Sequence, residues 1–145
     1  MLIMGFKFFK ILLSVEAVLL FVQFWLGMSI NLFVVVPLRT ASNFSSYSGG
    51  EEVLAHMVNG VLVLAFAGLI LSYGSRLRLI RVSVLSVVGV VFAVVASVTG
   101  ATFLFRMQDD NLSLAMSVSF IVVYTVCLSL FFLVDNVRAA GKAFR

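Results

Sequence analysis

Long apolar runs, separated by short polar segments, occupy almost the whole chain. A helix needs about 20 apolar residues to cross the hydrocarbon core of a bilayer, whereas a membrane strand needs only about 10 with strict alternation. The runs are uninterrupted and reach the helical length, so they predict transmembrane helices although many of their residues are β-branched. The four predicted spans are residues 8–36, 53–73, 79–105 and 112–134.

The segments between the spans predict how the helices are connected. Residues 74–78 and 106–111 are too few to join anything but antiparallel neighbours. The first connection, residues 37–52, is the only long one and is rich in serine, asparagine and glycine. We therefore predict an all-α membrane protein, a single domain over residues 1–145 in which four helices form an up-down-up-down bundle.

Composition agrees with this architecture. Hydrophobic residues make up 63% of the chain, against roughly 45–50% in soluble domains, and charged residues 11%, against about 25%. A soluble core of 145 residues cannot bury so much apolar surface, so lipid is the expected solvent. The chain has one cysteine and one histidine, too few for a conventional zinc or di-iron site, so no metal site is predicted.

The basic residues are divided unequally between the two ends of the predicted bundle. Only Arg39 and Arg106 lie at the end opposite the termini. The positive-inside rule therefore predicts a multi-pass protein of an inner or plasma membrane, with both termini in the cytoplasm. The other basic residues form three short clusters, which favours attraction to anionic lipid over nucleic-acid binding. They are Lys7, Lys10, Arg76, Arg78, Arg81, Arg138, Lys142 and Arg145.

A polar stripe on the first span is the first candidate for chemistry. Gln23 and Gly27 each project within about 20° of Glu16 on a helical wheel, with Asn31 at the edge of this stripe. Such a stripe faces protein or water, not lipid. Glu16 and Gln23 could form a proton relay or polar pathway. Alternatively, Glu16 could be a protonated or paired group that hydrogen-bonds between helices, and the sequence favours this structural interpretation.

His56, the only histidine, is the second candidate. It shares one side of the second span with Glu52, Asn59 and Gly60, and polar residues of the 106–111 connection are expected at the same level. An imidazole there could ligate haem, hydrogen-bond a quinone or exchange protons, and Gly60 could admit a flat macrocycle.

A haem at this position would need a second axial ligand, which Met57 or Met116 could supply. The structural alternative is an interfacial His56 hydrogen-bonded to Glu52 or Asp109. The sequence favours this alternative, because a single histidine cannot form a bis-histidine haem site within one chain. The predicted cofactor-binding residues are His56, Glu52, Asn59 and Met116.

Small residues recur at Gly89, Ala93 and Ser97, about one helical turn apart on the third span. In lipid, this spacing lets two helix backbones approach closely, so it predicts a face for helix packing. A pore lined by these small residues is the alternative interpretation.

Two resemblances bear on these candidates. The segment 37–42 (Pro-Leu-Arg-Thr-Ala-Ser), followed by Glu52 and His56, resembles haem A synthase, which has half-length members with four helices. This resemblance implies that Glu52 is the family's acidic residue and His56 a haem ligand. The chain departs from the family pattern in its longer Glu–His spacing, in Met57 after the histidine, and in the lack of a histidine opening the fourth span. The chain also resembles an uncharacterised family of small four-helix membrane proteins, a likeness that implies no activity, at Glu16, Gln23, Phe24, Gly27, Asn31, His56 and Gly60.

The functional expectation is correspondingly general. The chain has no P-loop, no GxGxxG motif and no credible Ser/His/Asp arrangement, which leans against an enzyme. It favours a non-catalytic or accessory subunit of a membrane complex, or a homo-oligomer, with haem or quinone at His56 as the most concrete hypothesis. The alternative is a small proton- or ion-coupled transporter or channel that uses Glu16 and Gln23.

Overall fold

Four long helices account for nearly all of the structure, a computed structural model that describes residues 2–37, 43–105 and 109–143. A three-residue 3₁₀-helix, Phe44–Ser46, precedes the second of them. Each helix packs against its neighbours in chain order, and α1 closes the ring against α4. The predicted all-α four-helix membrane bundle is therefore confirmed. The helices are α1, Leu2–Phe33; α2, Gly50–Arg76; α3, Ile80–Phe105; and α4, Asp110–Ala143.

All four helices are long and apolar enough to cross a bilayer. Large apolar side chains are exposed along every helix, among them Trp25, Val61, Val91 and Phe132. Water would make so extensive an apolar surface unfavourable, whereas lipid accommodates it. The chain is therefore a multi-pass membrane protein. We call the end with both termini and the α2–α3 turn the terminal end, and the opposite end the loop end.

The helices differ in length from the predicted apolar spans. α1 ends at Phe33, before the predicted limit, whereas α2 continues to Arg76 and α4 to Ala143. A helix of 34 residues is about 51 Å long, well beyond the roughly 30 Å hydrocarbon core. Apolar length therefore predicts the membrane-embedded part of a helix, and its hydrogen-bonded continuation into the polar interface carries no hydropathy signal.

Small residues bring the helices close together at several levels. A Cβ added at Gly74 of α2 would lie 3.0 Å from the Ser86 hydroxyl of α3. One added at Gly89 would lie 3.2 Å from Val126 of α4. Gly89 and Ala93 are buried, as the predicted packing face requires, whereas Ser97 at the end of that face is exposed.

An ion pair joins the first and last helices at the terminal end. Both carboxylate oxygens of Asp135 accept hydrogen bonds from the Lys10 ammonium group, at 2.7 and 2.9 Å. The same ammonium group lies 4.5 Å from the ring centre of Phe131. These contacts fix α1 against α4 at the level where the helices leave the apolar core.

Two glycines allow the long connection to pack onto the start of α2. Gly49 has φ 84°, a left-handed conformation that favours glycine, and it lies against the side chain of Val34. Gly50 packs so closely on the backbone carbonyl of Phe44 that an added Cβ would overlap it. The connection thus turns back over α2 only because these two positions carry no side chain.

We expect Gly50→Ala to lower the free energy of unfolding by about 3 kcal/mol, because a backbone carbonyl cannot yield as a flexible side chain can. Gly68→Ala is the matched control: no atom lies within 4 Å of its Cβ position, so it should be neutral or slightly stabilising. Unfolding in lipid–detergent bicelles measures both. Equal behaviour of the two variants would contradict the close packing at Gly50.

Candidate functional site

A chain of hydrogen bonds joins α1 and α2 in the half of the bundle nearer the loop end. The Asn59 amide nitrogen donates to the Leu19 backbone carbonyl at 3.0 Å and to Gln23 Oε1 at 2.7 Å. Gln23 Nε2 in turn lies 3.1 Å from Nε2 of His56. We call Gln23, His56 and Asn59 the amide–imidazole centre.

The backbone carbonyl of Leu19 sets the direction of this chain. A carbonyl oxygen only accepts, so the atom of Asn59 that faces it is the amide nitrogen. That nitrogen also faces Gln23, which must accept through Oε1 and therefore turns its own nitrogen toward His56. A neutral imidazole that accepts at Nε2 carries its proton on Nδ1. The Nδ1 of His56 is buried and has no hydrogen-bond partner among the described residues.

Two glycines make room for the amide–imidazole centre. A Cβ at Gly27 would lie 3.2 Å from Cε1 of His56, and a Cβ at Gly60 would lie 3.3 Å from Nε2 of Gln23. Each glycine follows the polar residue of its own helix by one turn and faces the polar residue of the other. The two helices therefore approach closely enough for a direct bond between side chains.

Glu16 lies deeper in the bundle, where all four helices meet. It is 2% exposed, and neither carboxyl oxygen has a hydrogen-bond partner in the described part of the chain. It borders a cavity of about 20 Å³, which we call the Glu16 cavity. A cavity needs roughly 10–15 Å³ to hold a water molecule, so this one has room for a single water. Its walls include Ala67 and Ile70 of α2, Ser86 and Gly89 of α3, and Val123 and Cys127 of α4.

Leu20 lies between Glu16 and Gln23 along the inner face of α1. It follows Glu16 by one helical turn, precedes Gln23 by about another turn, and is 1% exposed. An apolar side chain offers neither a donor nor an acceptor. The two polar regions on the inner face of α1 are therefore distinct in this conformation, although they lie on one helical stripe.

The other predicted site residues do not join this centre. Glu52 is exposed on the first turn of α2, and Met116 packs its sulfur against Gly100 of α3. The expected hydrogen bond from His56 to Glu52 or Asp109 is wrong, because the imidazole points across the seam toward α1 and bonds Gln23. Asp109 instead accepts from the backbone N–H of Asn111 at the start of α4. Arg106, Gln108 and residues 38–42 lie outside the described residues.

Two residues of structural consequence are missing from the sequence-based prediction. Ser86 lines the Glu16 cavity, although its hydroxyl donates to the Val82 carbonyl, and Asp135 pairs with Lys10. A signal for Asp135 does exist, since it is the only acid at the basic end of the predicted bundle. Cys127 lies beside the same cavity, and its thiol is 3.5 Å from the Leu13 carbonyl.

The side chains of the site differ in how well they could bind a metal ion, haem or a quinone. Within the described ranges, no three His, Cys, Asp or Glu side chains come together to hold a metal ion. Haem iron would need the Nε2 lone pair of His56, which already accepts from Gln23. A quinone carbonyl would need only a donor, and the N–H at Nδ1 is one. No family model, curated protein or solved structure matches the chain.

Proposed function

We propose that the protein moves protons through the membrane by way of Glu16, as a small proton-coupled transporter or channel. The observation that supports this function is the buried, unpartnered carboxyl group beside a water-sized cavity. An ionised carboxylate without partners is very costly to bury, so the resting bundle holds Glu16 as the neutral acid. Acids at such positions are rare in membrane helices and mark proton or ion pathways.

The amide–imidazole centre provides a second polar site for the proposed pathway, nearer the loop end. A neutral imidazole can both donate and accept a hydrogen bond, and Nδ1 of His56 is free of partners among the described residues. A path for protons between His56 and Glu16 would pass Leu20, a buried apolar side chain that lies between Glu16 and Gln23 along α1. We therefore assign Leu20 the role of a hydrophobic gate.

Proton flux into liposomes tests this function directly. Purified protein in vesicles with an internal pH-sensitive dye should dissipate an imposed pH gradient faster than empty vesicles do. Glu16→Gln should lower the rate at least about ten-fold, because it keeps the volume and removes the exchangeable proton. Glu52→Gln is the matched control on an exposed acid and should leave the rate unchanged. Wild-type flux no greater than that of empty vesicles, or unaffected by Glu16→Gln, would contradict the proposal.

A second candidate function is that of an accessory subunit associated with a quinone in a respiratory membrane complex. The observation that favours it is the buried N–H at Nδ1 of His56, a donor without an acceptor among the described residues. A quinone carbonyl could accept that bond if the α1–α2 seam opened at Gly27. The haem version additionally requires that the amide of Gln23 leave Nε2.

Co-purification separates these versions. If the quinone version holds, protein isolated from native membranes should retain extractable quinone, and His56→Leu should lose it. A Soret absorption band that is present in wild type and absent in His56→Leu would instead support haem. Gln23→Leu should strengthen that band, because it frees Nε2. If the isolated protein carries neither pigment nor quinone and migrates as a free monomer, the accessory role is contradicted.

We further propose that both termini face the cytoplasm of an inner or plasma membrane. The exposed side chains of Arg76, Arg78 and Arg81 at the α2–α3 turn support this orientation. A C-terminal fusion to a reporter that fluoresces only in the cytoplasm should fluoresce. A full-length fusion that does not fluoresce would contradict this orientation and indicate the opposite one.

A further inference from the structure

A surface groove of about 450 Å³ lies between α3 and α4 at the terminal end of the bundle. Its walls are almost entirely apolar, and the one hydroxyl among them, that of Ser129, already donates to the Thr125 carbonyl. The only charged group is a guanidinium at the start of α3. The lining residues are Ile80, Arg81, Val84, Leu85, Ser129 and Leu133.

Arg81 is an unpaired cation in the described part of the chain. Its side chain is exposed and has no ion-pair partner there. The nearest described acid on α4, Asp135, is held by Lys10 of α1. Two further arginines, Arg76 and Arg78, are exposed in the turn that leads into α3. This end of the groove therefore carries positive charge that no described carboxylate neutralises.

We propose that the groove binds one anionic phospholipid, with its phosphate at Arg81 and an acyl chain along Val84 and Leu133. The order of the lining residues matches the layers of a lipid, since the cation lies at the helix end and the apolar wall continues toward the bilayer centre. A guanidinium binds phosphate oxygens through paired hydrogen bonds. Charge complementarity thus selects an anionic lipid over a zwitterionic one. This site is independent of Glu16 and of any flux through the bundle.

Native mass spectrometry of the intact, detergent-solubilised protein tests the site with two probes, phosphatidylglycerol and phosphatidylcholine with identical acyl chains. Wild type should retain one phosphatidylglycerol with about five-fold preference, as expected for about 1 kcal/mol from one basic residue near the headgroup. Arg81→Gln should abolish the preference. Lys7→Gln is the matched control, because Lys7 is an exposed cation of α1 at the same end of the bundle and does not line the groove.

The acyl part of the proposal has its own pair of variants. Val84→Trp fills the groove and should lower retention of both lipids, whereas Val87→Trp, on an exposed position of α3 outside the groove, should not. Equal retention of the two lipids by wild type would overturn the proposal. So would loss of preference in Lys7→Gln as large as in Arg81→Gln, since that indicates diffuse attraction. An unchanged preference in Arg81→Gln would also overturn it, because the lipid phosphate would then bind elsewhere.

Discussion

We expect Glu16→Met to raise the free energy of unfolding of the bundle by about 2 kcal/mol. The Glu16 carboxyl group is buried without a donor among the described residues, so the folded state loses the hydration of this group and gains no hydrogen bond in exchange. Methionine has a similar length, fills irregular space well and has no group that requires a partner. The expected gain follows from removing an unsatisfied polar group, and it needs no new contact.

Unfolding in bicelles measures this effect, with Leu13→Met as the matched control. Leu13 is fully buried on the same helix, about one turn before Glu16, and its replacement should cost less than about 1.5 kcal/mol. If Glu16→Met instead destabilises the bundle, then the acid has a bonding partner, such as a water in the Glu16 cavity. The same variant should abolish proton flux, because methionine has no exchangeable proton.

Periodicity predicted the inner face of α1 correctly for a simple physical reason. Residues seven and eleven positions after Glu16 return to the same side of a helix, and polar groups in lipid turn toward protein. Glu16 is indeed buried and Gln23 lies within hydrogen-bond distance of His56, whereas Asn31, at the edge of the predicted stripe, is exposed. The four-helix architecture follows from the same kind of local information, since apolar length and short connections are visible along the chain.

The partner of each polar residue is not local information. His56 could reach Glu52 on its own helix or Gln23 on another. The choice depends on how closely α1 and α2 pack against each other. Gly27 and Gly60 set that relation, because each leaves space for the polar side chain of the opposite helix. The sequence places Gly27 on the polar stripe of α1 and Gly60 beside His56, but it does not show which side chain of the opposite helix each glycine faces. The Lys10–Asp135 pair escapes prediction for the same reason, as its partners are 125 residues apart.

Gln23→Leu should lower the free energy of unfolding by about 3 kcal/mol, because it removes both the donor to His56 and the acceptor from Asn59. The side chains of His56 and Asn59 would each lose one hydrogen-bond partner, and both lie in a close-packed seam that water does not readily reach. Phe24→Leu, at the adjacent exposed position, is the matched control and should change stability far less. In a double-mutant cycle with His56→Leu, the two substitutions should couple by about 1–2 kcal/mol, since they share one hydrogen bond.

The sole histidine also reports the direction of the chain of hydrogen bonds. Nitrogen NMR of a histidine-labelled sample gives one imidazole signal set, because the chain contains no other histidine. The wild-type ring should be the Nδ1–H tautomer, as donation from Gln23 to Nε2 requires, and Gln23→Leu should remove that preference. An Nε2–H tautomer in the wild type would reverse the bond between Gln23 and His56. The N–H at Nδ1 would then disappear, and with it the quinone donor, while the assignment of Glu16 as the proton-carrying group would stand.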